Sequence, residues 1–281
     1  MKREITVQSR GFGLPLMVSG INMILFLAAL VGTFGIITRM KLGTQSDYGA
    51  FLLIYAAVAF LVFILLLFVT PAMTAGSISM ERSMQTLDLM LTTQLSPFHI
   101  ITGKLCASAW TICVLLVSAI PAMLLPLLYG GISVPEVAVM LFVFAAEAIV
   151  LLCIGMYASA LSAHTARATA MAYAFVFAVC IGLPVLCLLI SPFVEEGNNY
   201  TAYLLLLDPL VCVGSLIARQ TGRDAVLTNI FAYLSLEPEG AFIRYFVPLS
   251  LASQLTGSVF LVMLSVVRIT PKRKIFAERH L

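Results

Sequence analysis

Gly103-Lys104 is the only Gly-Lys pair in the chain. A phosphate-cradling loop would set such a pair in the pattern G-x-x-x-x-G-K-[ST], with backbone N–H groups around the phosphates and the Lys reaching between them. Phe98 occupies the first Gly position and Leu105 follows the Lys, so the chain carries no such ATP-hydrolysing loop. Glu195-Glu196 invites comparison with the E-E-x-x-x-R set of intramembrane proteases, but Tyr200 stands where the Arg is required. No G-x-S-x-G nucleophile elbow occurs. His99, His164 and His280 lack the i, i+4 spacing with which one helix face holds a metal. Cys106, Cys113, Cys153, Cys180 and Cys187 fall inside or at the ends of apolar runs and Cys212 in a loop, which suits small packing residues. Neither catalysis nor a metal or other cofactor is expected of this chain.

Two patterns remain. Residues 78–104 read ISMERSMQTLDLMLTTQLSPFHIITGK, a polar segment between two long apolar runs. Met80, Met84, Leu87 and Leu91 recur at the spacing of one helix face, with Glu81, Gln85 and Asp88 opposite. The spacing predicts an amphipathic helix over Glu81–Leu91 that buries one face and offers Glu81, Arg82 and Asp88 to a partner. Ser96 then suits an N-cap and Pro97 the first helical position, where its missing N–H costs nothing. A second helix is predicted to start there and run into the next apolar stretch. The other pattern is a single acid, Glu147, deep within an apolar run beside Phe144, Ala145, Ala146 and Ala148. An ionisable group at such depth is a functional candidate, for a translocation path or a contact across a dimer. A structural Glu, protonated or paired inside the bundle, explains the same placement, and Asn22 in the first apolar run carries the same two readings.

The elements that must position these residues are set by composition. The chain is 61% hydrophobic and 10% charged, against roughly 45–50% and 25% in soluble domains, and its mean hydropathy is +1.07. Runs long enough to cross a bilayer, about 20 helical residues, lie near Gly13–Ile37, Gly49–Met73, Leu105–Leu128, Val134–Leu161, Thr169–Ile190 and Phe242–Val267. None alternates as the short strands of a membrane barrel would. The fold class is an all-α membrane protein of six transmembrane helices, forming one domain over residues 1–281. The first run is read as a retained span rather than a cleaved signal, since no small-x-small cleavage site follows it. Pro71, Pro121, Pro126 and Pro184 are expected to bend their spans.

With the N-terminus in the cytoplasm, Lys2, Arg3, Arg10, Arg82, Lys104, Arg167, Arg268, Lys272, Arg273, Lys274 and Arg279 lie inside. Arg39, Lys41, Arg219, Arg223 and Arg244 lie outside, so eleven of the sixteen basic residues obey the positive-inside bias. Both termini are then cytoplasmic, and the basic tail 268–281 anchors the last span against anionic headgroups of the lipid bilayer. The segment 191–241 is external. Its apolar piece is split by Asp208-Pro209 into halves too short to cross, and Leu204–Leu216 is predicted to form short helices packed on the bundle or dipping into the outer leaflet.

Residues 78–104 resemble the cytoplasmic loop of ABC-2 type transporter permeases. There an acidic-basic stretch (here Glu81 and Arg82) precedes a Thr-Leu-acidic-x-x-Leu core (Thr86, Leu87, Asp88, Leu91), followed by Leu95-Ser96 and Gly103-Lys104. Gln85 and Gln94 replace the Gly and Pro frequent in the family. The resemblance implies a permease subunit of an ATP-binding cassette transporter, with Glu81, Arg82, Thr86, Leu87, Asp88 and Leu91 coupling it to a separate ABC ATPase subunit that binds ATP and Mg. It implies pairing with a second permease, the same chain or a relative, residence in a plasma membrane, bacterial by that likeness, and no nucleic-acid partner. The E-A-A…G motif of importers is absent, so export is expected. The alternative is a motor-independent membrane protein, a secondary transporter or an assembly factor, whose loop helix rests on the lipid surface. The residues name no cargo.

Overall fold

A computed structural model describes residues 13–41, 49–87, 90, 96–129, 132–190, 193, 200–223 and 240–270. Among them there are helices and no strands. The long elements are α1 (Gly13–Lys41), α2 (Gly49–Ala75), α4 (Pro97–Leu124) and α5 (Val134–Leu161). A fifth rod joins α6 (Thr165–Phe177) through a π turn at Ala178–Gly182 to α7 (Leu183–Ile190), and α10 (Gly240–Ile269) is the sixth. At 1.5 Å per residue each exceeds the roughly 30 Å hydrocarbon core, and all six are apolar enough to cross it. These are the six spans predicted from the sequence.

The described residues also hold three short α-helices, α3 (Ser79–Ser83), α8 (Tyr200–Leu205) and α9 (Pro209–Gln220), and a 3-10 turn at Leu125–Tyr129 that follows α4. The basic tail beyond Thr270, the N-terminal residues before Gly13, and Glu195-Glu196 lie outside the described residues.

Local chemistry explains the boundaries. Ser96 has extended backbone angles and its hydroxyl accepts from His99 N–H, with Pro97 at the first helical position, so α4 starts where the cap chemistry predicts. Ser133 opens α5 with a capping box, its backbone N–H donating to Glu136 Oε2 at 2.7 Å. Pro184 offers no N–H to the carbonyl four residues before it. The helix widens into the π turn just ahead of it, where Leu183 N–H bonds the Ala178 carbonyl five residues back.

The centre of the bundle is α5, which packs on α2, α4, α6 and α10 and is the most buried of the six spans. Phe144 of α5 stacks on Phe63 of α2 with ring centroids 6.4 Å apart. Nearly two turns from its far end, Gly155 lets α5 close on α2: a Cβ there would collide with Thr74 Oγ1 and lie 3.0 Å from the Pro71 carbonyl oxygen. By contrast α1, which packs on α2 and α4, exposes Met23, Leu27, Leu30, Val31 and Phe34, the surface expected against lipid tails.

Candidate functional site

The loop between α2 and α4 is fastened to the ends of three spans. Helix α3 has no side-chain cap of its own; Ser159, near the end of α5, supplies one, its hydroxyl oxygen accepting from Ile78 N–H at 2.9 Å and Ser79 N–H at 3.0 Å. Two of the donors that every helix start leaves open are satisfied by another span. Arg82 Nη1 donates to the Ala160 and Ser162 carbonyls at 3.2 and 3.4 Å, placing a cation where the last carbonyls of α5 carry partial negative charge. Glu81 Oε1 lies 2.7 Å from Lys104 Nζ of α4, and the same ammonium donates to the Ser77 carbonyl at 3.0 Å. Beneath these bonds Ile78 and Leu87 pack with Ile101 of α4, Met156 and Ala160 of α5 and Ile269 of α10.

This differs from the amphipathic helix predicted over Glu81–Leu91. α3 ends at Ser83, and a turn follows in which Gln85 takes the left-handed φ of 58°. Met80 and Met84, predicted inward, are 50% and 61% exposed, while Leu87 is buried as predicted and Ile78 is buried beside it. Glu81 and Arg82, expected to face a partner, are spent on the bundle. Thr86 is exposed and donates to the Glu81 carbonyl at 3.1 Å. Asp88 and Leu91 lie outside the described residues, as do Gln94 and Leu95. The outward face of the described loop is therefore Met80, Ser83, Met84, Gln85 and Thr86.

A second polar locus lies halfway along α5. Glu147 is fully buried, and neither of its carboxylate oxygens has a hydrogen-bond partner. Its polar neighbours are Cys212 and Asp208 of the α8–α9 segment and Gln254 of α10. The break between α8 and α9 is thus carried to the depth of Glu147, and its backbone needs partners there. The Leu206 carbonyl accepts from Ser250 Oγ, Ser253 Oγ and Gln254 Nε2 of α10 at 2.8, 3.0 and 3.2 Å. Asp208 caps α9, accepting from Leu210 and Val211 N–H through Oδ1. Burial pushes its carboxyl up to about 7 against the lowering effect of those two N–H bonds. At the other end of α9, Gln220 accepts from Tyr55 of α2 at 2.9 Å and donates to the Glu136 carbonyl of α5 at 2.7 Å. The two short helices packed on the bundle are those predicted for Leu204–Leu216.

Asn22 is half-buried on α1 and does not join the neighbours of Glu147. Cys212, read from the sequence as a loop residue, is buried on α9; all six cysteines are free thiols. No group of three or more side chains able to hold a metal occurs among the described residues. Sequence reasoning missed Ser159, Ser250 and Gln254. The available signal was polarity out of place, since Gln254 is the single Gln within the six spans.

Residues 68–270, from the end of α2 to the end of α10, match the family model described as ABC-2 family transporter protein. No curated protein matches the chain.

Proposed function

The chain belongs to the ABC-2 transporter family, and on that premise we propose that it is the permease subunit of an exporter driven by a separate ATPase. Members of this family are the membrane components of ABC transporters and work with an ABC ATPase, which in this reading binds the ATP and Mg. The carrying observation is the loop at residues 76–87: rigidly tied to α4, α5 and α10 on one side and presenting exposed Met80 and Met84 on the other. Methionine side chains adapt to a partner groove without fixed geometry.

ATP binding would close the ATPase dimer against this face. Glu81–Lys104 and Arg82 with the α5 carbonyls would pass the push to α4 and α5, in the manner of packed elements that move as rigid bodies. Since α5 carries Glu147 next to α9 and α10, the push would reach the middle of the bundle. Two permeases, copies of this chain or relatives, would pair with two ATPases in a bacterial plasma membrane, with the loop and both termini cytoplasmic, as the positive-inside count supports. Absence of the importer loop motif favours export.

The test is a Met80→Glu/Met84→Glu double variant of the tagged chain, purified in mild detergent with its native partners. Loss of a co-purifying P-loop ATPase, with the folded chain retained, is the expected result. Unchanged association, or no ATPase with the wild type, would favour a motor-independent transporter whose loop rests on lipid.

A further inference from the structure

Each of the last two spans carries a proline in the half that lies away from the 76–87 loop. Pro184 follows the π turn of the fifth span, and Pro248 sits early in α10. Neither can donate a backbone hydrogen bond to the preceding turn. The carbonyl that Pro248 leaves open is that of Arg244, four residues back, and Arg219 Nη1 of α9 takes it at 3.2 Å. The π turn holds one residue more than an α turn, so α7 leaves it rotated by about 100° from where a continuous helix would run.

The two halves of the fifth span have different neighbours. α6 packs on α5 and α2, whereas α7 packs on α8. Cys187, the one buried residue of α7, meets Leu205 and Leu206 at the end of α8 and Phe246 of α10. Tyr203 of α8 lies edge-on to Phe242 of α10 with ring centroids 5.7 Å apart. Beyond the two prolines, α7, α8 and the first turns of α10 thus share one apolar cluster. Its polar tie to the remainder of α10 is the Leu206 carbonyl, which accepts from Ser250, Ser253 and Gln254. At the π turn packing is thin: a cavity of about 410 Å³ opens between α5, the fifth span and α10, with Val179, Leu183, Leu207 and Gly257 in its wall.

We propose that α7, α8 and the first turns of α10 form a hinged cap, which swings on the π turn ahead of Pro184 and on Pro248 while α5 and α6 stay in place, with the Leu206 carbonyl as its latch. A helix bends at lower cost where a proline has already removed a bond that would resist. The cavity lets Val179 and Leu183 shift without displacing packed atoms, which a core of ordinary density would oppose. α7 gives up little contact as it moves, since Leu186 and Leu189 already face outward, 44% and 64% exposed. The cap lies at the opposite end of the bundle from the motor-docking loop, and its movement is read without ATP, so failure of one reading leaves the other standing.

The test is double electron–electron resonance between nitroxides on the chain with its native partners in nanodiscs, diluted with unlabelled chain and with the exposed Cys106 and Cys113 changed to Ser. Labels replacing Phe142 of α5 and Leu189 of α7 span the hinge, and labels replacing Phe142 and Phe177 of α6 stay on one side of it; all three side chains are exposed. Ser250→Ala/Ser253→Ala removes two of the latch bonds and keeps Gln254. Expected is a second distance for the Phe142–Leu189 pair, whose population relative to the first grows about tenfold in that variant, the effect of losing one to two net hydrogen bonds. The Phe142–Phe177 distance should not change. Adding Pro184→Ala, which restores the N–H and lets α6 run on into α7, should remove the second distance. A Phe142–Leu189 distribution that the Ser variant leaves as it was would overturn the proposal. So would an equal shift in the Phe142–Phe177 pair, which means that the fifth span moves as one rod, or a second distance that survives Pro184→Ala.

Discussion

Ser159 holds the start of a helix to which it does not belong: its hydroxyl oxygen accepts from both Ile78 and Ser79 N–H of α3, 80 residues away along the chain. Removing that oxygen strands two buried donors. Ser159→Ala should cost about 1–3 kcal/mol, the usual penalty for an unsatisfied buried group, and the loss should be local. Trypsin cutting after Arg82 in detergent reports it, with faster cleavage in the variant than in the wild type. An unchanged cleavage rate and melting midpoint would mean that α3 needs no cap from α5.

The Glu81–Lys104 pair is partly buried, with side-chain exposures of 17% and 12%, so it should contribute more than the roughly 0–1 kcal/mol of a solvent pair. A double-mutant cycle with Glu81→Gln and Lys104→Met should return a coupling of about 1 kcal/mol or more in thermal stability. Exchanging the charges should fail to restore it. Lys104 also donates to the Ser77 carbonyl, and a carboxylate in its place would meet that oxygen with like charge. Full rescue by the exchanged pair would show that the carbonyl contact is incidental.

These contacts mark what the sequence could disclose. The Ser96-Pro97 start and the Asp208-Pro209 break were legible because capping and the missing proline N–H act within four residues. Six spans were legible because solvation of a long apolar run overrides other preferences. The buried face of the loop was legible only in part: periodicity put Met80, Met84 and Leu87 inward, and Leu87 is buried, but Met80 and Met84 are exposed and Ile78, tied to Ser159 of α5, is buried in their place. Glu147 stood out alone as a buried acid, yet Gln254, 107 positions on, could be joined to it only by the packing of α5 against α10.

Gly155 sits where α5 closes on α2, and a methyl group there would collide with Thr74 Oγ1 and press on the Pro71 carbonyl oxygen. Gly155→Ala should destabilise by about 1–3 kcal/mol, the range for overpacking a filled core. Thr74→Ala, which removes the hydroxyl, should recover part of the loss in the double variant and not all of it, since the carbonyl stays. Melting midpoints in detergent test this. A neutral Gly155→Ala would show that the two helices can separate freely at this point.

Asp208 gives the chain a pH dependence of definite sign. Its carboxyl, 3.8 when free, is raised to about 7 by burial, so the folded state favours the protonated acid. Stability from this group is full below pH 3.8 and is lost as pH rises through about 7, where the penalty levels off. Between pH 5 and 8 the loss should be roughly 2–3 kcal/mol at about 1.4 kcal/mol per pH unit. Glu147, Cys180, Cys187 and Cys212 are its titratable neighbours and stay in place in both proteins. Asp208→Asn retains an oxygen to cap α9, because Asn serves at that position as well as Asp, but cannot titrate. The melting midpoint of the wild type should therefore fall over this range and that of Asp208→Asn should fall less. Equal slopes would mean that the carboxyl reaches water in the folded protein and that the break between α8 and α9 is wetter than its bonds to α10 imply.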